Sequence, residues 1–478
     1  GSMMTYKQLT SSSSNGEINL KISKNSLRSG STANQQANGN GVDAVATVGK
    51  SFTLSTSEDE ELEFDPKDRN RLHLIFSTDC SPYQHWQSYL VYFSALKVRQ
   101  PGHVTRIASG CKDDEAILIQ KWFDQHISHM SKRFHLHLTP HFSTVKNEAE
   151  KVKDYKYFNK PFGLRHWMEN SPLVKANPTD GSSVSEDDIV ILIDPDMALL
   201  RPITGNFENR HETVIGKRKQ NHPPFDTFKV EHGKPFAQTY GFGAQWSKNV
   251  NLNNVVEPDS PAKLVERLEG GLWYPAGPPY LATVRDMYQI SQKWTEYVPK
   301  VYGEYPHLLA EMFAYCTAAA HLQLKHKLVD SLMISNNGAG GEGWPLIDKI
   351  PANEVCDIAT NPRQSKYPLP AVIHFCQRYA LGDDWFFGKR KVPKDIFTCE
   401  KPLLAEPPSN LALLYDYKKP PGQDAKKELS PIETTREAFV LCALLNLTNE
   451  AAIFYKQSAH FCPAGTANLD KTLRIGNE

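Results

Sequence analysis

The stretch DDIVILIDPDMALLRPI, residues 187–203, places an apolar run of five residues directly before two aspartates that one proline separates. A run as apolar as IVILI is typical of a strand that is buried on both faces, as in a parallel sheet. Ligands of open parallel sheets bind outside the carboxyl ends of the strands. We therefore expect this strand to hold Asp194 and Asp196 at such an edge.

The surrounding segments alternate between strand and helix patterns. Strands are predicted in RLHLIFSTDC, HVTRIAS, RFHLHLTP, DIVILI and PAVIHFC, and helices in WQSYLVYFSALKV, KPFGLRHWMENSP, PHLLAEMFAYCTAAAHLQL and TREAFVLCALLNLTNEAAIFYK. This alternation favours an α/β fold with a mostly parallel central sheet that is covered on both faces. We expect the main domain over residues 67–405 and a C-terminal extension with one long helix over 406–478.

A polar segment, residues 1–66, precedes the first predicted strand. It is rich in Ser, Asn, Gln and Gly and ends in an acidic run, SEDEELEFD. Such a composition buries too little apolar surface to order the chain, so we predict a disordered stem. The opening GSMM resembles an expression-vector remnant, and a native membrane anchor could therefore have been removed from this chain.

The charge composition argues against some partners. The chain has 54 basic and 54 acidic residues, so no basic field is available for a nucleic-acid backbone. The longest apolar runs, such as FVLCALL, are far shorter than the roughly 20 residues of a membrane span. The eight cysteines include no CxxC pair, which argues against structural zinc but permits disulfides. Together with the sequon at Asn446, the cysteines favour a secretory lumen.

The two aspartates suggest a metal site. Carboxylates at this spacing can share Mg²⁺ or Mn²⁺, leaving positions for phosphate oxygens, and DxD is typical of glycosyltransferases that use nucleotide sugars. A plain turn that pairs with Arg201 is an alternative interpretation. A phosphatase with an aspartate nucleophile is another, but it expects threonine where this chain has Ala198.

Further candidates lie elsewhere in the chain. His374 ends a predicted strand and Lys389 follows in the run GKRK, so the two could complete a metal and diphosphate site. A core histidine and a solvated cationic loop are the alternatives. Glu311 is the one acid in its apolar helix, and it either faces a cleft or pairs within the core. Near another helix start, where anions bind readily, lie Asn159, Lys160 and Arg165.

Several blocks, taken in order, resemble the plant and algal hydroxyproline O-arabinosyltransferases and peptidyl-serine α-galactosyltransferases. The blocks are FSTDCSPYQHWQS, GHVTRIASGC, NKPFGLRHWM, ILIDPDMALLRPI, GPPYLATVRDM, LAEMFAYCTAAAHLQLKHKLVDSLMIS and AVIHFCQRY with DWFFGKR. The resemblance spans about residues 67–400. It implies a Rossmann-like domain of the GT-A type, a UDP-sugar donor, and Mn²⁺ or Mg²⁺.

The resemblance also implies roles for single residues. Asp194, Asp196 and His374 would hold the metal, and Glu311, Asp196 and Lys389 would act in catalysis. The donor pocket is expected to include Ser77, Thr78, Asn159, Lys160, Arg165, Asp194, Gly277, Pro278 and Lys389. Gly388 stands where the family usually has an aspartate.

The implied function is retaining, metal-dependent transfer of galactose or arabinofuranose from a UDP donor to serine or hydroxyproline of a proline-rich glycoprotein. Its implied location is the Golgi or secretory lumen. Trp273, Tyr274 and Trp344 could stack on such an acceptor's polyproline helix. Because of Gly388, a non-catalytic protein that binds sugar or peptide is an alternative, and a UDP-sugar hydrolase is another.

Overall fold

A seven-stranded sheet forms the centre of the protein in the computed structural model, which describes residues 71–146, 152–179, 182–183, 185–216, 225–414, 429–457 and 462–476. The strands are β1 (Leu72–Asp79), β2 (His103–Ser109), β3 (Phe134–Thr139), β4 (Thr144–Lys146), β5 (Val152–Asp154), β6 (Ile189–Ile193), β7 (Met197–Leu199), β8 (Phe236–Thr239), β9 (Ala276–Thr283), β10 (Lys327–Val329), β11 (Met333–Ile334), β12 (Val372–His374), β13 (Arg378–Leu381), β14 (Trp385–Gly388), β15 (Leu403–Leu404) and β16 (Thr472–Leu473).

The helices surround this sheet. They are α1 (Tyr83–Lys97), α2 (Asp113–His126), α3 (Asn159–Asn170), α4 (Gln245–Lys248), α5 (Arg267–Trp273), α6 (Val284–Glu304), α7 (Ala310–His321), α8 (Trp344–Ile347), α9 (Val355–Thr360), α10 (Leu411–Leu414) and α11 (Pro431–Gln457). Single 3₁₀ turns lie at Lys156–Phe158, Leu252–Asn254, Pro261–Leu264 and Pro362–Gln364.

The strand order of the sheet is β10-β8-β9-β6-β1-β2-β3. The pairs β6–β1, β1–β2, β2–β3 and β10–β8 are parallel. Strand β9 runs antiparallel to both of its neighbours, β6 and β8. The predicted fold class, α/β with a mostly parallel central sheet, is therefore confirmed.

The apolar run that opened the sequence analysis is the middle strand of this sheet. Ile191 and Ile193 of β6 pack into the core on the α1 side. Val190 and Leu192 face the other way, into the core formed with α3, α6 and α7. Both faces are covered, which explains why the run is continuously apolar rather than alternating.

A small second sheet extends the end of β6 toward the C-terminal half of the chain. Three residues separate β6 from β7, and β7 pairs antiparallel with β12 so that Met197 lies opposite His374. Strand β12 pairs in turn with β11. This pairing brings a residue far along the chain to the turn that holds the two aspartates.

The long C-terminal helix belongs to the core. By length and composition α11 could cross a membrane, but most of it is buried in the protein. It is joined to α9 by the disulfide Cys356–Cys442. The other disulfides are Cys80–Cys111, which links the ends of β1 and β2, and Cys399–Cys462. The even cysteine count therefore indicated disulfides correctly.

The predicted domain limits are not tested by these contacts. The predicted stem, residues 1–66, lies outside the described residues, and the boundary between 405 and 406 stays a prediction.

Candidate active site

The turn after β6 holds the cluster that the sequence predicts. The Met197 amide donates to the Asp194 carbonyl (3.2 Å), and the Phe375 amide donates to the Asp196 carbonyl (2.9 Å), which ties the turn to β12. One side-chain ligand atom each from Asp194, Asp196 and His374 lies within 4.8 Å of the others. Two carboxylates and one imidazole are a donor set that suits Mn²⁺, so the residues fit the implied metal.

Asp196 has two cationic neighbours. His374 Nε2 lies 3.3 Å from its Oδ1, and Lys389 Nζ pairs with its Oδ2. Burial alone would raise the pKa of Asp196, but His374 and Lys389 overcome it and hold that pKa well below its usual range. Burial likewise opposes the charged form of His374, yet the contact with Asp196 raises its pKa well above the ordinary value.

Lys160, at the start of α3, forms ion pairs with both Asp194 and Glu311. Its Nζ lies 2.7 Å from Asp194 Oδ1 and 3.2 Å from Glu311 Oε2. Burial lowers the pKa of Lys160, but the two carboxylates outweigh burial and raise it. Each aspartate of the turn is therefore paired with a lysine, and the site is close to neutral before a cation or a diphosphate binds.

Glu311 lies in the first turn of α7 and is almost fully buried. Its amide donates to the Tyr155 hydroxyl (3.2 Å), and its carbonyl accepts from Trp294 Nε1 (2.9 Å). Burial raises the pKa of its carboxyl to about 7, against the opposing effect of Lys160. Among the described residues, its Oε1 has no hydrogen-bond partner, and this oxygen is itself buried.

The other predicted donor residues on β1 and α3 lie at the same sheet edge. Thr78 accepts a hydrogen bond from Nε of the fully buried Arg106 (2.9 Å). Ser77 lies beneath α3, where a Cβ at Gly163 would be 3.8 Å from its Oγ. Asn159 accepts from the Phe142 amide (3.2 Å), which orders the segment before α3.

Arg165 is not brought into this cluster. Its Nε pairs with Glu169 (2.9 Å), and its Nη1 donates to Thr295 Oγ1 on α6 (3.3 Å). Its guanidinium therefore lies at the contact between α3 and α6, and its predicted role with the donor stays a prediction without support from these contacts.

Gly277 and Pro278 are the second and third residues of β9, beside the carboxyl end of β6. A Cβ at Gly277 would lie only 2.1 Å from the Tyr240 ring, so a glycine is required for this ring to occupy its position. Tyr240 is a residue that sequence reasoning missed. Burial, together with the nearby Asp194, raises the pKa of its phenol well above the ordinary value.

Two further tyrosines support the site and were also missed. The Tyr379 hydroxyl donates to the carbonyls of Ser335 (2.8 Å) and His374 (3.1 Å). The Tyr83 hydroxyl donates to the Lys389 carbonyl (3.1 Å). The contacts of Tyr379 with Ser335 and of Tyr83 with Lys389 join segments 44 and 306 positions apart, which no local signal in the sequence marks.

Gly388 has a local packing reason. A Cβ at this position would lie 2.9 Å from Phe386 Cζ in the β13–β14 hairpin. An aspartate would require that ring to move. Lys389 nevertheless reaches Asp196, so the departure from the family pattern does not remove the cation.

Two sequence interpretations are wrong because the side chains are buried. Tyr274 and Trp344 are each 1% exposed and cannot stack on an acceptor, and Trp344 donates its Nε1 to the Asn336 carbonyl (2.8 Å). Asn446 of the sequon is 4% exposed within α11, so the folded protein does not present it for glycosylation.

Comparison with known proteins now adds to this geometry. No family model matches the chain. Over 378 residues, 77% of this chain, it is 25% identical to a peptidyl serine alpha-galactosyltransferase of Arabidopsis thaliana. The chain is thus similar to a peptidyl serine alpha-galactosyltransferase. A second relative of that name, from Chlamydomonas reinhardtii, is 27% identical over 151 residues, 31% of this chain.

These matches confirm the resemblance that the motifs predict. This chain spans 37% of the length of the Arabidopsis relative and 17% of the Chlamydomonas relative. Among solved structures, the WbbM bifunctional glycosyltransferase in its apo form aligns with a TM-score of 0.31 at 8% identity, over 66% of this chain and 47% of that chain. That likeness is too low to bear on function.

Proposed function

We propose that the chain is a metal-dependent, retaining glycosyltransferase that moves a sugar from a UDP donor to a hydroxyl of a polypeptide. The observation that carries this proposal is the group Asp194, Asp196 and His374, flanked by Lys160 and Lys389. Such a group offers a place for a divalent cation and two ammonium groups for a diphosphate. The relatives' names add the acceptor class, a peptidyl serine, and the sugar, galactose.

Under this proposal Asp194, Asp196 and His374 hold Mn²⁺ or Mg²⁺. The cation would supply charge neutralisation and positioning of the diphosphate. Lys389, beside Asp196, would bind the departing phosphate, and Lys160, beside Asp194, would be a second positive charge at the donor. Both ammonium groups are in place before the donor arrives, so little reorganisation is needed when charge develops on the phosphate.

Glu311 is the third acid of this arrangement, joined to Asp194 through Lys160. Its unpartnered Oε1 would accept from a sugar hydroxyl or support positive charge at the anomeric carbon, while Lys160 holds the other oxygen. Retention proceeds either by attack of this carboxylate or by a front-face route in which the leaving phosphate accepts the acceptor's proton.

The acceptor is proposed to be serine or hydroxyproline in an extended, proline-rich polypeptide, and the site of action the Golgi or secretory lumen. The three disulfides fit an oxidising compartment.

The test is a donor panel read by product mass. The protein is incubated with UDP-galactose or UDP-arabinofuranose, Mn²⁺, and peptides that carry one serine or one hydroxyproline. We expect the peptide to gain one sugar mass, and to lose this gain with EDTA. Release of UDP that is independent of peptide would instead show a hydrolase, and no release with any donor would refute the proposal.

A variant pair checks the site itself. Asp196→Ala removes a proposed metal ligand and should abolish transfer while the thermal unfolding transition stays cooperative. Asp395→Ala is the matched control, because it removes an exposed aspartate that pairs only with Lys401 among the ion pairs of the described residues. Full activity of Asp196→Ala at saturating Mn²⁺ would refute the metal assignment.

A further inference from the structure

Two segments of the chain meet beside His374. The hairpin β13–β14 ends directly before Lys389, whose ammonium pairs with Asp196. The other segment, residues 335–344, has the sequence SNNGAGGEGW and follows β11; we call it the glycine-rich segment. Strand β11 pairs parallel with β12 up to the residue before His374, so the segment begins next to that histidine. Each of the two segments therefore borders the candidate metal site.

Glu437, near the start of α11, accepts hydrogen bonds from both segments. Its Oε1 accepts from the Ala380 amide (2.7 Å), and its Oε2 accepts from Asn337 Nδ2 (2.9 Å). Ala380 lies opposite Phe386 within the hairpin, and Asn337 belongs to the glycine-rich segment. Glu437 is only 5% exposed, so both bonds are shielded from water. One buried carboxylate thus joins the hairpin to the glycine-rich segment.

The neighbouring residue of α11 strengthens one side of this connection. Arg436 Nη1 donates to the Asn337 carbonyl (2.6 Å), while its Nε and Nη2 bind the two carboxylate oxygens of Asp348 (2.7 and 2.6 Å). Helix α11 therefore holds Asn337 by both its carbonyl and its side chain. The Tyr379 hydroxyl adds a direct link from the hairpin to the Ser335 carbonyl (2.8 Å). Loss of Glu437 alone should therefore loosen the two segments without detaching them.

The acid at this position is costly for the fold. Burial raises the pKa of Glu437 to about 7, against the two hydrogen bonds that favour its charged form. Among the described residues it has no ion-pair partner that would offset the burial of a charge. Perturbed acids of this kind are concentrated at functional sites. The two acceptor oxygens, which bind two donors from separate segments at once, are the property that an apolar side chain could not supply.

We propose that Glu437 is a positioning residue, which holds Lys389 and the glycine-rich segment in place beside His374. Glu437 itself touches no reacting group. Its effect on sugar transfer rests on the proposed function, since Lys389 is there assigned to the departing phosphate. The coupling of the two segments is a property of the fold, and it can be measured without donor or acceptor.

Three variants separate this role from general stability. Glu437→Ala removes both acceptors and leaves the buried Ala380 amide without a partner. Glu437→Gln can keep both bonds, because its amide oxygen accepts from Ala380 and its Nε2 donates to Asn337 once that amide turns over. Asn337→Ala is a milder change at a partly buried position, and it releases only the glycine-rich segment.

Glu450→Ala is the matched control. Glu450 is a partly buried acid of the same helix, and it pairs with Lys97 of α1. It lies about 20 Å farther along α11 than Glu437. Its removal should lower the stability of the helix packing without touching the hairpin or the glycine-rich segment.

The first measurement is hydrogen exchange of the full-length proteins, read by mass spectrometry. In Glu437→Ala we expect the amides of residues 335–344 and 378–391, apart from Ala380, to exchange about tenfold faster or more. Asn337→Ala should show this increase in the glycine-rich segment only. Glu437→Gln and Glu450→Ala should leave both segments within about twofold of the unmodified protein. Faster exchange in one segment only of Glu437→Ala, or in both segments of Glu450→Ala, would overturn the inference.

The second measurement is transfer kinetics at a temperature where every variant is folded. We expect kcat of Glu437→Ala to fall about tenfold or more, with Glu437→Gln within about threefold and Glu450→Ala within about twofold of the unmodified protein. An unchanged kcat in Glu437→Ala, or an equal loss in Glu450→Ala, would overturn the positioning role. If the unmodified protein transfers no sugar with any donor, the proposed function is refuted, and hydrogen exchange still decides whether Glu437 couples the two segments.

Discussion

Lys160 offers the sharpest test of the charge balance in the site. Its ammonium lies 2.7 Å from Asp194 Oδ1, the same carboxylate that is proposed to hold the metal. A divalent cation that binds alone must therefore compete with this lysine. We predict that Lys160→Met binds Mn²⁺ more tightly than the unmodified protein when no nucleotide is present.

The size of the effect follows from the geometry. At 2.7 Å and an effective dielectric constant of about 20, the attraction between two unit charges is about 6 kcal/mol. Most of this is offset by desolvation of the buried pair. A net gain of about 1.4 to 2.8 kcal/mol would correspond to a 10- to 100-fold increase in Mn²⁺ affinity. With UDP present, Lys160→Met should instead bind Mn²⁺ more weakly than the unmodified protein, because the diphosphate has lost a positively charged partner.

The assay is calorimetric titration of Mn²⁺ into both proteins, with and without UDP. Lys293→Met is the matched control, since Lys293 also pairs with two carboxylates, Glu257 and Glu296, but lies away from the turn after β6. The variant Lys160→Met should also unfold more easily without Mn²⁺, by about 3 kcal/mol, because the buried Glu311 and the partly buried Asp194 lose their cation. Unchanged or weaker Mn²⁺ binding without UDP would refute the proposed competition.

Three further predictions concern titration and catalysis. Burial lowers the pKa of His103 and of His137 to about 4, so below about pH 6.5 the unfolded chain binds more protons than the folded protein. The free energy of unfolding should therefore fall by about 2 kcal/mol for the two histidines together between pH 7 and pH 5, after allowance for their partial exposure. Urea titration at the two pH values measures this change. Burial raises the pKa of Glu437 to about 7, so its neutral form stabilises the fold at low pH. This contribution, on the order of 3 kcal/mol, is lost as the pH rises from about 4.5 through 7. Glu437→Gln should remove that slope in the same titration, and an unchanged slope would contradict the assignment. Glu311→Gln should keep UDP affinity while kcat of transfer falls about 100-fold or more; loss of UDP binding instead would place Glu311 with the donor phosphates.

The sheet edge was predictable from sequence because its signals are local. A continuous apolar run indicates a strand that is covered on both faces, and the aspartates follow it directly. The same reasoning missed β9. Pro278 and Pro279 lie within this strand, and prolines argue against an inner strand because they cannot donate to the ladder. The structure accommodates them at an irregularity, where the register with β8 shifts between Ala237 and Gln238.

The contacts that complete the site depend on pairing between distant segments. Lys160 and Glu311 are separated by 151 positions in the chain, and no pattern near either residue indicates the other. They meet because α3 and α7 both begin at the sheet edge that bears Asp194. His374 arrives by the pairing of β12 with β7, which no periodicity predicts. Local features marked Lys160, Glu311 and His374 as separate candidates, but only the family resemblance implied that they meet in one site.

The buried sequon in α11 has a consequence for production of the protein in a secretory host. Oligosaccharide transfer acts on chains as they enter the lumen, before a helix such as α11 has docked. Asn446 is 4% exposed and its side chain donates to the Thr360 carbonyl (3.4 Å), so a glycan attached there would keep α11 from packing on α9. Occupancy of this sequon would therefore mark molecules that failed to mature, and replacement of Thr448 by valine, which removes the acceptor signal, should raise the secreted yield.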